Sequence, residues 1–284
     1  MPSRNIPSVR LRRIGSALRK AREDSGMTMD TACRRYGRSK GWLSTLENGL
    51  HSINCQELAD LLDFYQVPEG PLRQSLLHLA AHRPGKSWER AYEGRISAAA
   101  LDLASLEEDA ELIRNFEPCV VPGLLQTPEY ARALTRVGPA RPVRNTGVLV
   151  AFRMARQKVL ARPDPPHYVA VISESVLHHR VGGPDLMYAQ LRRLSETAEL
   201  ENVALHVLPN SAAAYLWLAG PFHLLSLRPP GNLTVSVIEQ LTKSLFVDDD
   251  KKIALNEEIF SLLLDASLDE DASLKLIERL ASRV

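Results

Sequence analysis

Apolar residues recur at helical spacing through the first third of the chain, with polar residues between them. This periodicity predicts three or four amphipathic helices that share one small core. The two clearest stripes lie before residue 26 and after residue 50; their members are Leu11, Ile14, Leu18 and Ala21 in the first, and Leu58, Leu61, Leu62 and Tyr65 in the second.

Two short helices joined by a glycine turn are predicted between these stripes. Thr28 is placed to cap the first helix, because its hydroxyl oxygen can accept a free backbone N–H. Gly37 suits the left-handed residue that ends a helix, and Ser39 is placed to cap the second helix. Leu43 and Leu46 lie three residues apart and are expected to face the core.

The other side of the second helix carries polar and small residues, a layout typical of a recognition helix in the major groove of DNA. Lys40 is the best candidate for a contact with a base edge, and Arg38 and Asn48 are placed for phosphates. Trp42 has two interpretations, stacking on the groove wall or packing, and packing is the more common role. The residues predicted to contact DNA are Thr28, Met29, Arg38, Ser39, Lys40, Gly41, Trp42, Ser44, Thr45 and Asn48.

Charge supports this interpretation. Residues 4–40 contain eleven Lys and Arg against three Asp and Glu, a net charge of +8, whereas the whole chain has a net charge of only +1. A basic segment suits a phosphate backbone. Charge alone would equally fit a solvated helical bundle, so the prediction of DNA binding depends on the caps, the turn and the polar face together.

Residues 10–70 resemble the lambda-repressor-like (XRE-type) helix-turn-helix family. The resemblance implies a five-helix domain that binds double-stranded DNA, usually as a homodimer, with an Arg–Glu pair that here would be Arg22 and Glu47. Two positions depart from the family pattern. Met29 stands where a glutamine usually binds a phosphate. Ala32 stands where a large apolar residue is usual, so another side chain must fill that space, and Tyr36 and Trp42 are the candidates. The matching residues are Leu18-Arg19, Arg22, Gly26-Met27-Thr28, Gly37, Ser39, Leu43-Ser44, Leu46-Glu47 and Gly49.

A chain of 284 residues is too long for this module alone, so a second domain is expected. The predicted domains are a helix-turn-helix domain at 8–75 and an α/β regulatory and dimerisation domain at 96–284. A linker at 76–95 joins them, around the Pro/Gly break at residues 82–86.

The second domain is predicted to open with a helix over residues 96–116, on the stripe Leu103, Leu106, Ala110 and Ile113. A Pro/Gly-rich apolar loop follows at 118–126, for which internal packing is favoured over partner docking. Thr127 is placed to cap the next helix, because proline and an acidic residue follow it. A further helix is predicted at about 144–160.

Beyond residue 166 the period changes to that of strands. Four strands and a possible short fifth predict a four- or five-stranded mixed sheet, with a parallel pair across the helix at 186–200. The chain is therefore expected to be mainly α in its first part and α/β in its second. The predicted strands lie at 168–172, 203–208, 222–227, 234–238 and 245–247, and closing helices at 256–264 and 272–281.

Several phrases of the second domain occur in the order found in a domain attached to many actinobacterial XRE regulators, of which the WhiJ-like regulators are the best known. They include LEEDAELIRNFEPCVVPGLLQTPEYARAL, ISESVLHHRVGG and VALHVLP. The resemblance implies a transcriptional regulator, often encoded beside a small partner protein as in a toxin–antitoxin pair. It implies no ligand or chemistry.

Arg153, Arg156 and Gln157 lie three and four residues apart and are candidates for a ligand or partner site, because two arginines at that spacing can grip a carboxylate or phosphate. The alternative, an arginine face paired with Glu174 or another acid, is favoured. Adjacent His178 and His179 point in different directions on a helix, so we predict no metal site.

No catalytic motif is recognisable, so we predict that the chain is not an enzyme and needs no cofactor; Ser173 and Ser175 near His178 are only a weak hydrolase-like coincidence. Three scattered cysteines and the lack of a long apolar run indicate a reduced, cytoplasmic protein without a membrane span. The leading hypothesis is a sequence-specific transcriptional regulator whose second domain senses a ligand or small protein partner. The alternative is an antitoxin-like interaction protein that sequesters a small partner and regulates its own operon.

Overall fold

A computed structural model describes residues 8–81, 88–137, 146–212, 219–231, 233–239, 244–247 and 249–283. The chain divides into two compact units. The first comprises Met1–Ala91 with Leu227–Leu233, and the second comprises Tyr92–Ser226 with Thr234–Val284.

The described residues of the first unit form five helices, the number that the family resemblance implies. Side chains at the helix starts cap them: Ser8, Thr28, Ser39 and Asn54 each accept a backbone N–H. Gly37 ends α2 in the left-handed conformation, with φ of 76°. The helices are α1 (Val9–Asp24), α2 (Met29–Tyr36), α3 (Lys40–Glu47), α4 (Cys55–Phe64) and α5 (Pro71–Ala81).

Two glycines let α1 lie directly against the end of α3. A Cβ on Gly15 would come within 2.5 Å of the Leu46 carbonyl oxygen, and one on Gly49 within 2.8 Å of the Arg12 nitrogen. Gly49 also has a φ of +70°, which favours glycine. Sequence reasoning did not use Gly15, although a glycine inside a helical pattern is a signal of close packing.

The described residues of the second unit form seven helices and six strands, with 3-10 turns at Gly123–Leu125 and Lys158–Ala161. A further 3-10 turn, Trp88–Tyr92, spans the boundary between the two units in the sequence. Its helices are α6 (Ala98–Asp109), α7 (Pro128–Val137), α8 (Thr146–Gln157), α9 (Glu174–His178), α10 (Pro184–Ala198), α11 (Asp250–Asp265) and α12 (Glu270–Ala281). Its strands are β1 (Ala110–Glu117), β2 (His167–Ser173), β3 (Val203–Leu208), β4 (Phe222–Leu227), β5 (Thr234–Glu239) and β6 (Ser244–Val247).

Within the described residues, the sheet has six strands in the order β3-β2-β1-β4-β5-β6. β1, β2 and β3 pair in parallel, whereas β4, β5 and β6 pair antiparallel. The mixed sheet and the parallel pair across α10 are therefore confirmed. The predicted count of four or five strands is wrong by one, because β1 was not recognised.

The helix predicted over residues 96–116 ends at Asp109, and the chain continues directly into β1. Ala110 and Ile113 belong to this strand, whereas Leu103 and Leu106 belong to α6. β1 lies inside the sheet and is buried on both faces. A strand of that kind shows no alternation of apolar and polar residues, so its apolar residues extended the helical stripe by chance.

Other helix bounds differ from prediction by a few residues. α10 begins and ends two residues early, and α12 begins at Glu270 rather than residue 272. α11 begins six residues before the predicted start, because Asp249 accepts the Lys252 N–H and caps a polar first turn that carries no apolar stripe. Residues 144–145 of the predicted helix at 144–160 lie outside the described residues, and α8 ends at Gln157.

One face of the sheet packs against α11. The shared cluster contains Phe116, Val171, Leu208, Phe222, Leu224, Phe260 and Leu263. Side chains alternate along a strand, so Asn115 and Tyr168 point to the opposite face, where the Tyr168 hydroxyl donates to Asn115 Oδ1 at 2.9 Å.

The Pro/Gly break at 82–86 lies outside the described residues, and α5 reaches into the linker predicted at 76–95. The predicted domain bounds stay a prediction. Among the described helices, none is both long and apolar enough to cross a bilayer.

We predict that Gly15→Ala destabilises the protein, because the added methyl group meets the backbone at Leu46. The expected loss is about 1–3 kcal/mol, since overpacking outweighs the better helix propensity of alanine. Gly41→Ala in α3 is the matched control, since a Cβ there meets nothing within 4 Å. Thermal unfolding should show a lower Tm for the first variant and an equal or higher Tm for the second; equal effects would contradict the close approach.

Candidate functional site

A buried ion pair fixes the end of α3 against α1. Arg22 Nε donates to Glu47 Oε1 at 2.7 Å, and Arg22 Nη2 donates to Glu47 Oε2 at 3.0 Å. Arg22 Nη1 donates to the Met27 carbonyl at 2.9 Å, which also ties down the segment before α2. The hydrogen bond with Glu47 is the largest influence on the pKa of Arg22 and raises it. The pair that the family resemblance implies is therefore present, and both residues have a structural role.

Arg19 extends this network to the surface. Its Nη2 donates to Asn48 Oδ1 at 2.8 Å, and its Nε lies 3.5 Å from Glu47 Oε2. Asn48 in turn donates its amide to the Ser44 carbonyl at 2.7 Å and closes the last turn of α3. Both ends of the Asn48 amide are thus engaged within the protein, so its predicted phosphate contact would have to exchange with these bonds.

The outer side of α3 is exposed, as a recognition helix requires. Lys40, Gly41 and Thr45 are exposed and Ser44 is half-buried, whereas Leu43 and Leu46 are buried. Ser39 accepts the Trp42 N–H at 3.1 Å and remains exposed. The structure thus brings these predicted DNA-contacting residues to one surface.

Lys40 and Arg38 on this surface each form an exposed ion pair. Lys40 Nζ lies 3.0 Å from Asp30 Oδ1, and Arg38 Nη2 lies 3.2 Å from Glu57 Oε1. All four side chains are more than one third exposed. Exposed pairs of this kind contribute little free energy, so a phosphate can replace the carboxylate partner at small cost.

Trp42 packs and also faces the charged surface. Its ring stacks on Tyr36 with centroids 6.3 Å apart, and Tyr36 contacts Phe64 at 5.2 Å. The Arg38 guanidinium lies over the Trp42 ring at 5.2 Å.

The N-terminus of α2 is the second predicted contact region. Thr28 is exposed and its hydroxyl oxygen accepts the Thr31 N–H at 3.2 Å. Met29 is half-buried and follows as the first residue of the helix. A helix N-terminus offers free backbone N–H groups to a phosphate, so the predicted contact at this position does not depend on a glutamine side chain.

In the second unit, the two arginines of the predicted ligand or partner site have separate partners within the protein. Arg156 is buried and makes two hydrogen bonds to Glu107, at 2.7 and 2.9 Å. Burial works to lower the pKa of Arg156, but the charge of Glu107 outweighs it and raises the pKa. Glu174, the partner named from sequence, instead accepts the Asn210 N–H and lies 3.8 Å from His178. The favoured alternative of an internal pair is therefore correct, with Glu107 as the acid.

Arg153 and Gln157 hold the apolar loop that follows β1. Arg153 Nη1 donates to Gln126 Oε1 at 2.6 Å, and Gln157 Nε2 donates to the carbonyls of Gly123 and Gln126. Gln190 adds a bond from its amide to the Leu125 carbonyl at 2.9 Å. A proline-rich turn leaves carbonyls without ladder partners, and these amides satisfy them. Internal packing of this loop is confirmed, since Val121, Leu124, Leu125 and Tyr130 are buried.

A cluster of ionisable residues that sequence reasoning missed lies at the end of β1. Burial raises the pKa of Glu117 to about 7, and the charge of nearby His223 only partly opposes this. His223 Nε2 lies 3.5 Å from Glu239 Oε2. Burial tends to lower the pKa of His223, but the contact with Glu239 outweighs it and raises the pKa. These residues are far apart in sequence, so no spacing signal could reveal them.

The serines and the histidine of the weak hydrolase-like coincidence each have another partner. Ser173 and Ser175 share a hydrogen bond between their hydroxyl groups, and His178 lies beside Glu174 instead. Within the described part of the chain, no group of three or more His, Cys, Asp or Glu residues is arranged to hold a metal ion.

Comparison with known proteins supports the two-part division. Residues 13–76 match a helix-turn-helix domain, which defines the chain as a protein with an N-terminal helix-turn-helix module of the kind found in DNA-binding regulators. Residues 100–279 match the family described as "Domain of unknown function (DUF5753)", and the chain belongs to that family. No curated protein and no solved structure matches the chain.

Glu117→Gln is predicted to change the pH dependence of stability. Because burial raises the folded pKa of Glu117 from 4.5 to about 7, the uncharged carboxyl stabilises the fold at low pH, and this stability is lost as pH rises between these values. Glutamine mimics the uncharged form. The free energy of unfolding of the variant should exceed that of the parent by up to about 3 kcal/mol at roughly pH 8. The difference should be small at a pH near 4.5, the ordinary pKa of the carboxyl group. Thermal unfolding across pH tests this, and a pH-independent difference would contradict it.

Proposed function

We propose that the chain is a sequence-specific, DNA-binding transcriptional regulator of the XRE type, with the second domain found in WhiJ-like regulators. One observation carries the proposal: α3 presents an exposed polar face, and the buried Arg22–Glu47 pair fixes the C-terminal end of the helix. A helix held in this way keeps its orientation without using the groove-facing side chains. The helix-turn-helix match over residues 13–76 supports the same class.

In the proposed complex, α3 enters the major groove and its first turns face the bases. Lys40 donates to guanine O6 or N7, and Ser44 and Thr45 lie one turn further along the same side. Arg38 and the N-terminus of α2 at Thr28 contact phosphates on either side of the groove. The net charge of +8 over residues 4–40 supplies the attraction that is independent of sequence.

The second unit is proposed to supply dimerisation and control. A small ligand or a small protein partner that binds the DNA-competent form more tightly would raise DNA occupancy, and one that binds it less tightly would lower occupancy. The antitoxin-like alternative differs in making capture of the partner the main activity. We propose that the chain acts by binding rather than by catalysis, and the free Cys33, Cys55 and Cys119 support a reducing, cytoplasmic location.

Selection from a pool of random duplexes tests the proposal directly. The full chain should enrich one short sequence, present as two copies related by symmetry or repetition if a dimer binds. A Lys40→Ala/Ser44→Ala/Thr45→Ala variant, altered only on the exposed side of α3, should keep its Tm and lose the enrichment. If the parent chain enriches no sequence, the proposed function is wrong.

Single variants separate base reading from phosphate contact. Lys40→Ala should change the preferred base at one position, because it removes a donor to guanine. Arg38→Ala should weaken binding to all sequences alike and reduce the slope of log affinity against log salt by about one. Fluorescence anisotropy against a set of operator variants measures both effects.

Lys275→Ala in α12 is the charge-matched control for both variants, because this exposed lysine lies outside the helix-turn-helix domain. It should leave affinity and sequence preference as in the parent. An unchanged sequence preference in Lys40→Ala would refute the assignment of that residue to a base.

A further inference from the structure

The outer face of α11 exposes two leucines. Leu255 is 55% exposed and Leu262 is 42% exposed, whereas Ile253, Phe260 and Leu263 on the inner face are buried. With about 100° per residue, Leu255 and Leu262 lie within about 20° of each other around the helix. Two exposed leucines one above the other form an apolar stripe, and such a stripe marks an interaction surface.

Charged residues border this stripe in a definite order. Lys251 stands near the start of α11, Glu258 near its middle and Asp265 at its end, and all three are exposed. They lie seven residues apart, so they share one side of the stripe. None of the three has an ion-pair partner within the described part of the chain.

The order of these leucines and charged residues along α11 is complementary to the same order read in the opposite direction. Leu255 and Leu262 are equally distant from the middle of the helix at residues 258–259, and Lys251 and Asp265 are equally distant from Glu258. In an antiparallel pair of these helices around a two-fold axis, Leu255 faces Leu262 of the other copy. Lys251 then lies beside Asp265 of the other copy, and this pair occurs twice. A parallel pair would instead place the two copies of this charged row on opposite sides of the stripe, where Lys251 and Asp265 do not meet.

We infer that the outer face of α11 docks on the same face of a second copy of this chain, with the two helices antiparallel. The occupant is a second copy because the order of charges matches itself in reverse. This surface identifies the partner in the dimer of the proposed function. Only its use by two copies on adjacent DNA half-sites rests on that proposed function. The docking itself is a property of the chain without DNA.

The size of the surface sets the strength of the contact. A helix of 16 residues is about 24 Å long, and one face of it is smaller than the roughly 800 Å² that each partner buries in a stable interface. The free chain is therefore a weak, concentration-dependent dimer. Binding to two adjacent half-sites raises the effective concentration of each copy and strengthens the contact.

Sedimentation velocity of the full chain over a wide concentration range tests the inference without DNA. The parent chain should show a reversible monomer–dimer equilibrium. Leu262→Asp should raise the dimer dissociation constant about a hundredfold or more, because it places two carboxylates in the apolar stripe. Lys275→Glu on α12 is the control and should leave the dissociation constant unchanged. A monomeric parent chain, or a dimer that Leu262→Asp does not weaken, overturns the inference.

Charge reversal tests the antiparallel register. Lys251→Glu and Asp265→Lys should each raise the dissociation constant about tenfold, because each creates two like-charge contacts. An equimolar mixture of these two variants should form heterodimers of about the parent's strength, since both contacts then join opposite charges. The double variant Lys251→Glu/Asp265→Lys should likewise recover. Failure of both the mixture and the double variant to recover overturns the register.

Glu258 provides a test in which the variant should strengthen the dimer rather than weaken it. The two copies of Glu258 meet beside the two-fold axis and repel each other, so Glu258→Gln should strengthen the dimer. Weaker association of that variant counts against the register. DNA selection by a monomeric Leu262→Asp variant would still return a single half-site if the proposed function is correct, so failure of the docking surface and failure of DNA binding are separately visible.

Discussion

The buried pair of Arg22 and Glu47 is the constraint on which the first unit depends. Glu47 ends the helix that carries the exposed polar face, and Arg22 holds it through two hydrogen bonds while also binding the Met27 carbonyl. Removal of one member would leave a buried charge without its partner, which costs about 3–5 kcal/mol. The close approach at Gly15 brings the two helices near enough for this pair to form. The orientation of α3 is therefore set by contacts within the protein, and the side chains on its outer face remain available to bind a partner.

The second unit also contains a buried ion pair that holds two helices together. The Arg156–Glu107 pair is buried between α8 and α6, and the amides of Gln126, Gln157 and Gln190 satisfy the carbonyls of a loop that has no strand partner. Residues that look like a ligand fork in the sequence are thus occupied in holding the fold. The exposed Leu255 and Leu262 on α11 take no part in this internal packing.

Sequence reasoning succeeded where a signal is local. The caps at Thr28 and Ser39, the left-handed Gly37 and the stripe of Leu43 and Leu46 are each readable within a few residues, so α2 and α3 were predicted from the residues themselves. It failed where burial on both faces hides the period, as in β1, and where the first turn of a helix is polar, as in α11. The partners of Arg156 and His223 depend on tertiary contacts between distant segments, which one sequence without geometry does not reveal.

The central claim is that the exposed side of α3 reads bases in the major groove. Methylation interference on the duplex selected by the full chain tests it most directly, because methylation of guanine N7 blocks the major-groove edge and leaves the minor groove open. The account predicts that methylation at one or two guanines in each half-site abolishes binding, and that Lys40→Ala loses the effect at one of them. Binding that tolerates methylation at every guanine would contradict it.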